Sequence, residues 1–227
     1  MTSEASSLHP RIRWPEWAVM VLAAIGLLVL ALVGWLRYDE VFGFITGGIC
    51  VWLVVRQHVW NWPIGLANNA VFLVLFWQSR LYADMGLQVV YFGLGLYGWW
   101  NWLRRGPDSE PLQPTNMRAW EWVGTLVFIA AGTLLMQQIL LWASGAAPFW
   151  DALTTAISLA AQYLLCRKRI ENWYFWIIAD IIYVPLYLSR NLPLTAALYG
   201  IFLVMCIVGL FEWRTSLRKT VPRGAVV

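Results

Sequence analysis

Long apolar runs separated by short polar or basic links set the pattern of this chain. Eight runs stand out: Trp17–Leu36, Val41–Val55, Pro63–Trp77, Asp84–Trp102, Trp120–Trp142, Trp150–Cys166, Trp173–Leu188 and Leu194–Trp213. They do not alternate with period two and are too long for barrel strands, so they predict helices, several near the lower length for crossing a bilayer. Links such as Ser79-Arg80-Leu81-Tyr82 and Ser189-Arg190-Asn191-Leu192-Pro193 suit tight helical hairpins. Arg11 and Arg13 precede the first run, as in a signal peptide. That run is too long for a typical signal core and no small-x-small cleavage site follows, so a retained helix is expected.

Composition fixes the solvent. The chain is 60% hydrophobic and 12% charged, with a mean hydropathy of +0.61, against about 25% charged residues in soluble domains. An all-α integral membrane protein with eight transmembrane helices is expected. Its 17 tryptophans suit bilayer interfaces. The 16 basic residues divide as 13 on one side and 3 (Arg37, Arg80 and Arg190) on the other. By the positive-inside rule both termini are cytoplasmic. The basic residues sit at segment ends and form no single patch, which argues against nucleic acid. Arg167-Lys168-Arg169 reads as a topology signal, with contact to anionic lipid as an addition. Cys50, Cys166 and Cys206 form no CxxC motif, and His9 and His58 are far apart, so no metal, cofactor or disulfide framework is indicated.

An ungapped repeat runs through the apolar segments. Asn61-Trp62 recurs as Asn172-Trp173, Gly98 as Gly209 and Trp102 as Trp213, each pair 111 residues apart, and Asn69 corresponds to Asp180. Three helices end on the membrane side opposite to where they began. One linker helix must therefore return the chain before a second copy enters in the same orientation. The expected plan is residues 1–40 as tail and extra helix, 41–102 as the first repeat, 103–149 as loop and linker helix, 150–213 as the second repeat and 214–227 as a cytoplasmic tail. Such 3+1+3 parallel repeats carry a solute site between them.

Trp173, Trp176, Asp180, Tyr183 and Tyr187 are spaced three, four, three and four, which places them on one helix face. Asp180 lies seven residues inside its apolar segment, roughly 10 Å deep at 1.5 Å per residue. A carboxylate there costs on the order of 2.5–3.5 kcal/mol on insertion scales, so it should face protein or water. Pro185 removes a backbone hydrogen bond beside it. The first copy has Trp62, Gly65, Asn69, Phe72 and Phe76 at the equivalent positions. Gln88, Tyr91, Gly95, Gly98 and Trp102 form a matching stripe, as do Tyr199, Phe202, Cys206, Gly209 and Trp213. Gly95 and Gly98 allow close helix approach. The candidate substrate residues are Trp173, Trp176, Asp180, Tyr183, Asn69, Gln88, Tyr91, Gln162 and Tyr199. Together they suit a flat, ring-bearing and cationic solute that leans toward the second copy. For each residue a structural role competes: belt anchoring for Trp173, a buried polar pair for Asp180, an interhelical bond for Asn69, and core packing for the tyrosines.

The first copy reads WNWPIGLANN, RLYADMGLQVVY and YGWWNW; the second reads ENWYFWIIAD, YVPLYLSRNLPLTAALYGIFL and GLFEW. Spread from Val41 to Trp213, these segments resemble the nicotinamide riboside (PnuC-type) transporter family. The resemblance implies a SWEET-like 3+1+3 core, a homotrimer in a bacterial plasma membrane, and facilitated diffusion of a vitamin trapped by intracellular phosphorylation. It also implies that Trp173 and Trp176, as the family's WxxW, meet the substrate. Asp180 departs from the Asn of nicotinamide riboside carriers, which leaves thiamine and riboflavin as alternatives. A proton-coupled carrier, and a non-transport membrane enzyme or subunit, are the remaining readings. No P-loop occurs in the sequence, and no nucleophile–base pair falls inside the apolar segments.

Overall fold

The computed structural model describes residues 38–78, 80, 82–104, 112–142 and 148–220. The helix expected at Trp17–Leu36 lies outside these. Seven helices occur among the described residues: α1 (Tyr38–Val55), α2 (Asn61–Gln78), α3 (Tyr82–Leu103), α4 (Ala119–Trp142), α5 (Pro148–Cys166), α6 (Asn172–Ser189) and α7 (Pro193–Thr220). Each expected segment from Val41 onward is found, with ends shifted by a few residues. The largest shift is at α7, which runs seven residues past Trp213 to Thr220. Arg218 and Lys219 in its last turn complement the negative end of the helix dipole. Helix α4 and α7 are each long and apolar enough to span a bilayer. The sides of α4 are largely bare, with Leu126, Val127, Leu134 and Leu135 exposed. An apolar surface of this kind suits lipid, which imposes no cost on it.

The repeat governs the backbone as well as the sequence. Helix α2 maps onto α6 residue for residue, since 61 + 111 = 172 and 78 + 111 = 189. Helix α1 ends at Val55 and α5 at Cys166, again 111 apart. Both helices stop in the same way: Gln57 and Lys168 take left-handed φ values of 54° and 51°. Their amides donate back to Val54 and Leu165, while His58 and Arg169 donate to Leu53 and Leu164, at 2.8 to 2.9 Å. That double closure is a Schellman cap, built here without glycine. The hairpin turns repeat the device, with Arg80 and Asn191 both at φ 58°. Asn61 and Asn172 close the entries of α2 and α6, each donating its side-chain amide to the carbonyl three residues earlier (2.8 and 2.6 Å).

The two copies hold each other at the end where the basic residues gather. Trp102 donates its indole N–H to the Leu165 carbonyl at 3.1 Å, and Trp213 donates to the Val54 carbonyl at 3.0 Å. These are equivalent bonds exchanged between copies. Trp62 meets Trp102 edge to face at 5.3 Å, as Trp173 meets Trp213 at 5.4 Å, and Trp102 meets Trp213 at 6.0 Å. The glycines expected to allow close approach do so. A Cβ on Gly98 would overlap the Trp62 ring, one on Gly209 would lie 2.5 Å from the Trp173 ring, and one on Gly95 would lie 2.9 Å from Leu66.

Residues 112–118 strap this end. Thr115 and the α5–α6 link bond in both directions: Thr115 donates to the Lys168 carbonyl and Ile170 donates to the Thr115 carbonyl, each at 3.0 Å. Arg169 pairs with Glu121 at 2.8 Å, and Glu171 accepts the Met117 amide at 3.0 Å. The basic triplet expected as a topology signal therefore serves internal packing. Lys168 is 5% exposed. Its ammonium donates to Gln57 (3.3 Å) and the Leu112 carbonyl (2.7 Å) and lies 4.4 Å from the Trp102 ring. None of these partners is a carboxylate, and burial pushes the Lys168 ammonium down to about 8 from 10.5. Between these values the unfolded chain binds the proton and the folded chain does not, so stability should rise with pH across that window. Thermal melts in detergent at pH 7.5 to 10.5 check this. Lys168→Met should flatten the rise, and an unchanged slope would refute the assignment.

Candidate functional site

On the far side of the Trp102–Trp213 layer the seam between helices changes character, from apolar to polar and aromatic. Asp180 lies eight residues into α6, about 12 Å from its start, and is 3% exposed. Its Oδ2 accepts from the Cys206 thiol of α7 at 3.5 Å. Among the described residues the ion-paired carboxylates are Glu121 and Asp151, not Asp180. One turn further along α6, Tyr183 packs on Tyr199 of α7 at 4.6 Å between ring centroids, Tyr187 stacks on Tyr199 at 5.1 Å, and Phe202 meets Tyr199 edge-on at 5.9 Å.

The same seam reaches the first copy. Tyr91 of α3 lies near Ser158 on α5, and Tyr183 of α6 lies near Thr154 and Ser158. Thr154 spends its own proton on the Trp150 carbonyl at 2.8 Å, which leaves its oxygen to accept. Tyr91, Asp180, Tyr183 and Tyr199 are thus brought together. Thr154 and Ser158 were missed in the sequence, although Asp151, Thr154, Ser158 and Gln162 have helical spacing on α5. A stripe of small hydroxyls carries little signal, because such residues bond their own backbone so readily.

The other expected residues sit around this group or behind it. Gln88 and Gln162 are half-buried, one turn from Tyr91 and Ser158 on their helices, and Asn69 is half-buried on α2. Trp176 is half-buried between the two apolar clusters of the interior. Trp173 is placed differently: it is 1% exposed, wedged over Gly209 and against Trp213. It backs the site from the basic end, as Trp62 does in the first copy. Among the described residues neither indole N–H has a hydrogen-bond partner. At the opposite end Arg190 clasps Asp151 through both carboxylate oxygens at 2.8 to 2.9 Å, tying the α6–α7 turn to α5. A separate surface groove of about 450 Å³ runs between α3, α4 and α5 past Val90, Phe128, Leu159 and Arg167. None of the nine expected residues lines it.

Paired helical repeats that close on each other at one end, with an acid and tyrosines gathered beyond it, suit a membrane transporter. Comparison with known proteins agrees. The family described as "Nicotinamide mononucleotide transporter" matches residues 37–215, and the chain belongs to that family. It is 27% identical over 215 residues to the nicotinamide riboside transporter PnuC of Escherichia coli (strain K12), covering 83% of this chain and 90% of that one. It is 26% identical over 187 residues to the riboflavin/roseoflavin transporter RibM of Streptomyces davaonensis, covering 80% and 87%. The crystal structure of the vitamin B3 transporter PnuC shares the fold, with a TM-score of 0.73 at 20% identity over 92% of this chain and 94% of that one.

Proposed function

We propose that the chain carries nicotinamide riboside across the bacterial plasma membrane by facilitated diffusion, with intracellular phosphorylation trapping the solute. The observation that carries this reading is the lopsided seam. A buried acid and stacked tyrosines occupy the second copy, while the first copy has the neutral Asn69 with Phe72 and Phe76 at the matching positions. The ring would lie against Trp176, Tyr183 and Tyr199. Asp180, Asn69, Gln88, Tyr91 and Gln162 would take its polar groups, and the buried Trp173 would back the site rather than touch the solute. The basic end faces the cytoplasm with both termini, eight helices cross the membrane, and three copies assemble, each with its own path. Rocking of one repeat against the other alternates access. Opening inward then requires the Trp102 and Trp213 bonds between the copies to part.

The relation to RibM favours riboflavin as the second reading, with thiamine a third. Proteoliposomes without any imposed gradient decide among them. Nicotinamide riboside should equilibrate across the membrane, and an imposed pH difference should leave both rate and end point unchanged. Uptake of riboflavin or thiamine in its place, or accumulation that needs a proton gradient, would overturn the proposal.

A further inference from the structure

We infer that Asp180 makes this carrier discriminate by charge, selecting an aromatic ring with a fixed positive charge over a neutral ring of the same shape. The inference rests on the reading of the chain as a nicotinamide riboside carrier and extends it to the basis of specificity.

Asp180 is 3% exposed, and among the described residues its side chain has one hydrogen bond, a long contact from the Cys206 thiol at 3.5 Å. A thiol is a weak donor. No arginine, lysine or histidine pairs with Asp180 among the described residues, although the same fold supplies arginines to both Glu121 and Asp151. An acid kept for packing or for inter-helix bonding is normally given such partners, because a lone buried carboxylate is costly. A cation that arrives and leaves resolves this. It satisfies the carboxylate in the loaded state and removes nothing from the scaffold when released. The neighbouring surfaces fit the same ligand. Tyr183, Tyr187 and Tyr199 have centroids 4.6 to 5.7 Å apart beside the acid, and their faces attract positive charge. The other polar groups at the seam, Thr154, Ser158 and Tyr91, are neutral, so the acid is the feature that reads charge. The first copy has Asn69 at the matching position, so the discrimination is one-sided.

Nicotinamide riboside and its 1,4-dihydro form provide the test, since the two differ in ring charge and little in size. Binding of both is measured by calorimetry on purified wild type, Asp180→Asn and Asp180→Glu, with thermal melts confirming that each variant is folded. The wild type should prefer the pyridinium form by roughly tenfold or more. Asp180→Asn should lose most of that preference, mainly through weaker pyridinium binding, and Asp180→Glu should keep it. Equal wild-type affinity for the two forms, or a preference that survives in Asp180→Asn, overturns the charge assignment and leaves the carrier reading standing. If the wild type binds neither form, both fall together.

Discussion

Gly209→Ala is expected to destabilise the protein, against the usual sign of such a change. Ala is ordinarily favoured over Gly inside a helix by about 0.5–1 kcal/mol. At Gly209, however, a Cβ would lie 2.5 Å from two ring atoms of Trp173. Trp173 is itself fixed, 1% exposed and edge-on to Trp213, so the ring has nowhere to retreat. Forcing extra atoms into a filled core costs about 1–3 kcal/mol, and sometimes more. Gly200 is an internal control on the same helix, since a Cβ there meets nothing within 4 Å. Melting in detergent should therefore show Gly200→Ala neutral or stabilising and Gly209→Ala clearly destabilising. Gly98→Ala, placed over Trp62, should be at least as severe. Adding Trp173→Phe to Gly209→Ala should restore part of the loss, because the Cζ2 and Cη2 atoms in the way are absent from phenylalanine. If both glycines respond alike, or the pair shows no rescue, the wedge is not what holds α6 to α7.

The wedge explains why the repeat was legible. The residues that recur at 111, Asn61-Trp62, Gly98 and Trp102 with their counterparts, form one packing unit: an amide that closes the helix entry, a ring, the gap that receives it, and a second ring across its edge. Each part demands a particular residue type, so the sequence betrays it. The polar stripe of α6 was legible for the same reason, since an acid and tyrosines among isoleucines have few alternatives. Thr154 and Ser158 were not, because hydroxyls on apolar helices have many. The strap at 112–118 was hidden as well. Its bonds to Lys168 and Ile170 run through backbone groups that every residue possesses, and its anchors Arg169 and Glu171 each lie 54 positions from their partners Thr115 and Met117. Trp173 shows the opposite hazard. Its helical spacing with Trp176 and Asp180 is real, but the face of α6 turns into the core at the basic end, so one stripe serves packing first and the seam afterwards.

Removing either ring of the cross-repeat pair should cost more than any other single change at the basic end. Trp102 and Trp213 each lose three things on truncation: a buried ring, an edge-on contact with Trp62 or Trp173, and the indole donor to the other copy. Trp→Ala in a core typically costs about 3–5 kcal/mol, and both single variants are expected in that range. They should not add. The rings touch each other at 6.0 Å, and residues in contact usually couple by about 0.5–3 kcal/mol, so the double variant should fall short of the sum. Replacement by Phe separates the bond from the bulk. A ring remains, the donor goes, and the accepting carbonyl keeps the bond from its own helix cap, since the Val54 oxygen also receives the Gln57 amide at 2.9 Å. Trp213→Phe should therefore stay folded while loosening the seal between copies. Cys166 reports this directly, being fully buried in the same cluster with its thiol 3.1 Å from the Leu94 carbonyl. With Cys50 and Cys206 replaced by Ser, a membrane-impermeant maleimide applied from the basic side should label Cys166 slowly in the parent and several-fold faster in Trp213→Phe. Trp102→Phe should behave the same way, because its bond is the mirror of the first. Equal labelling in parent and variants would mean that the two copies are held closed by something other than this exchange.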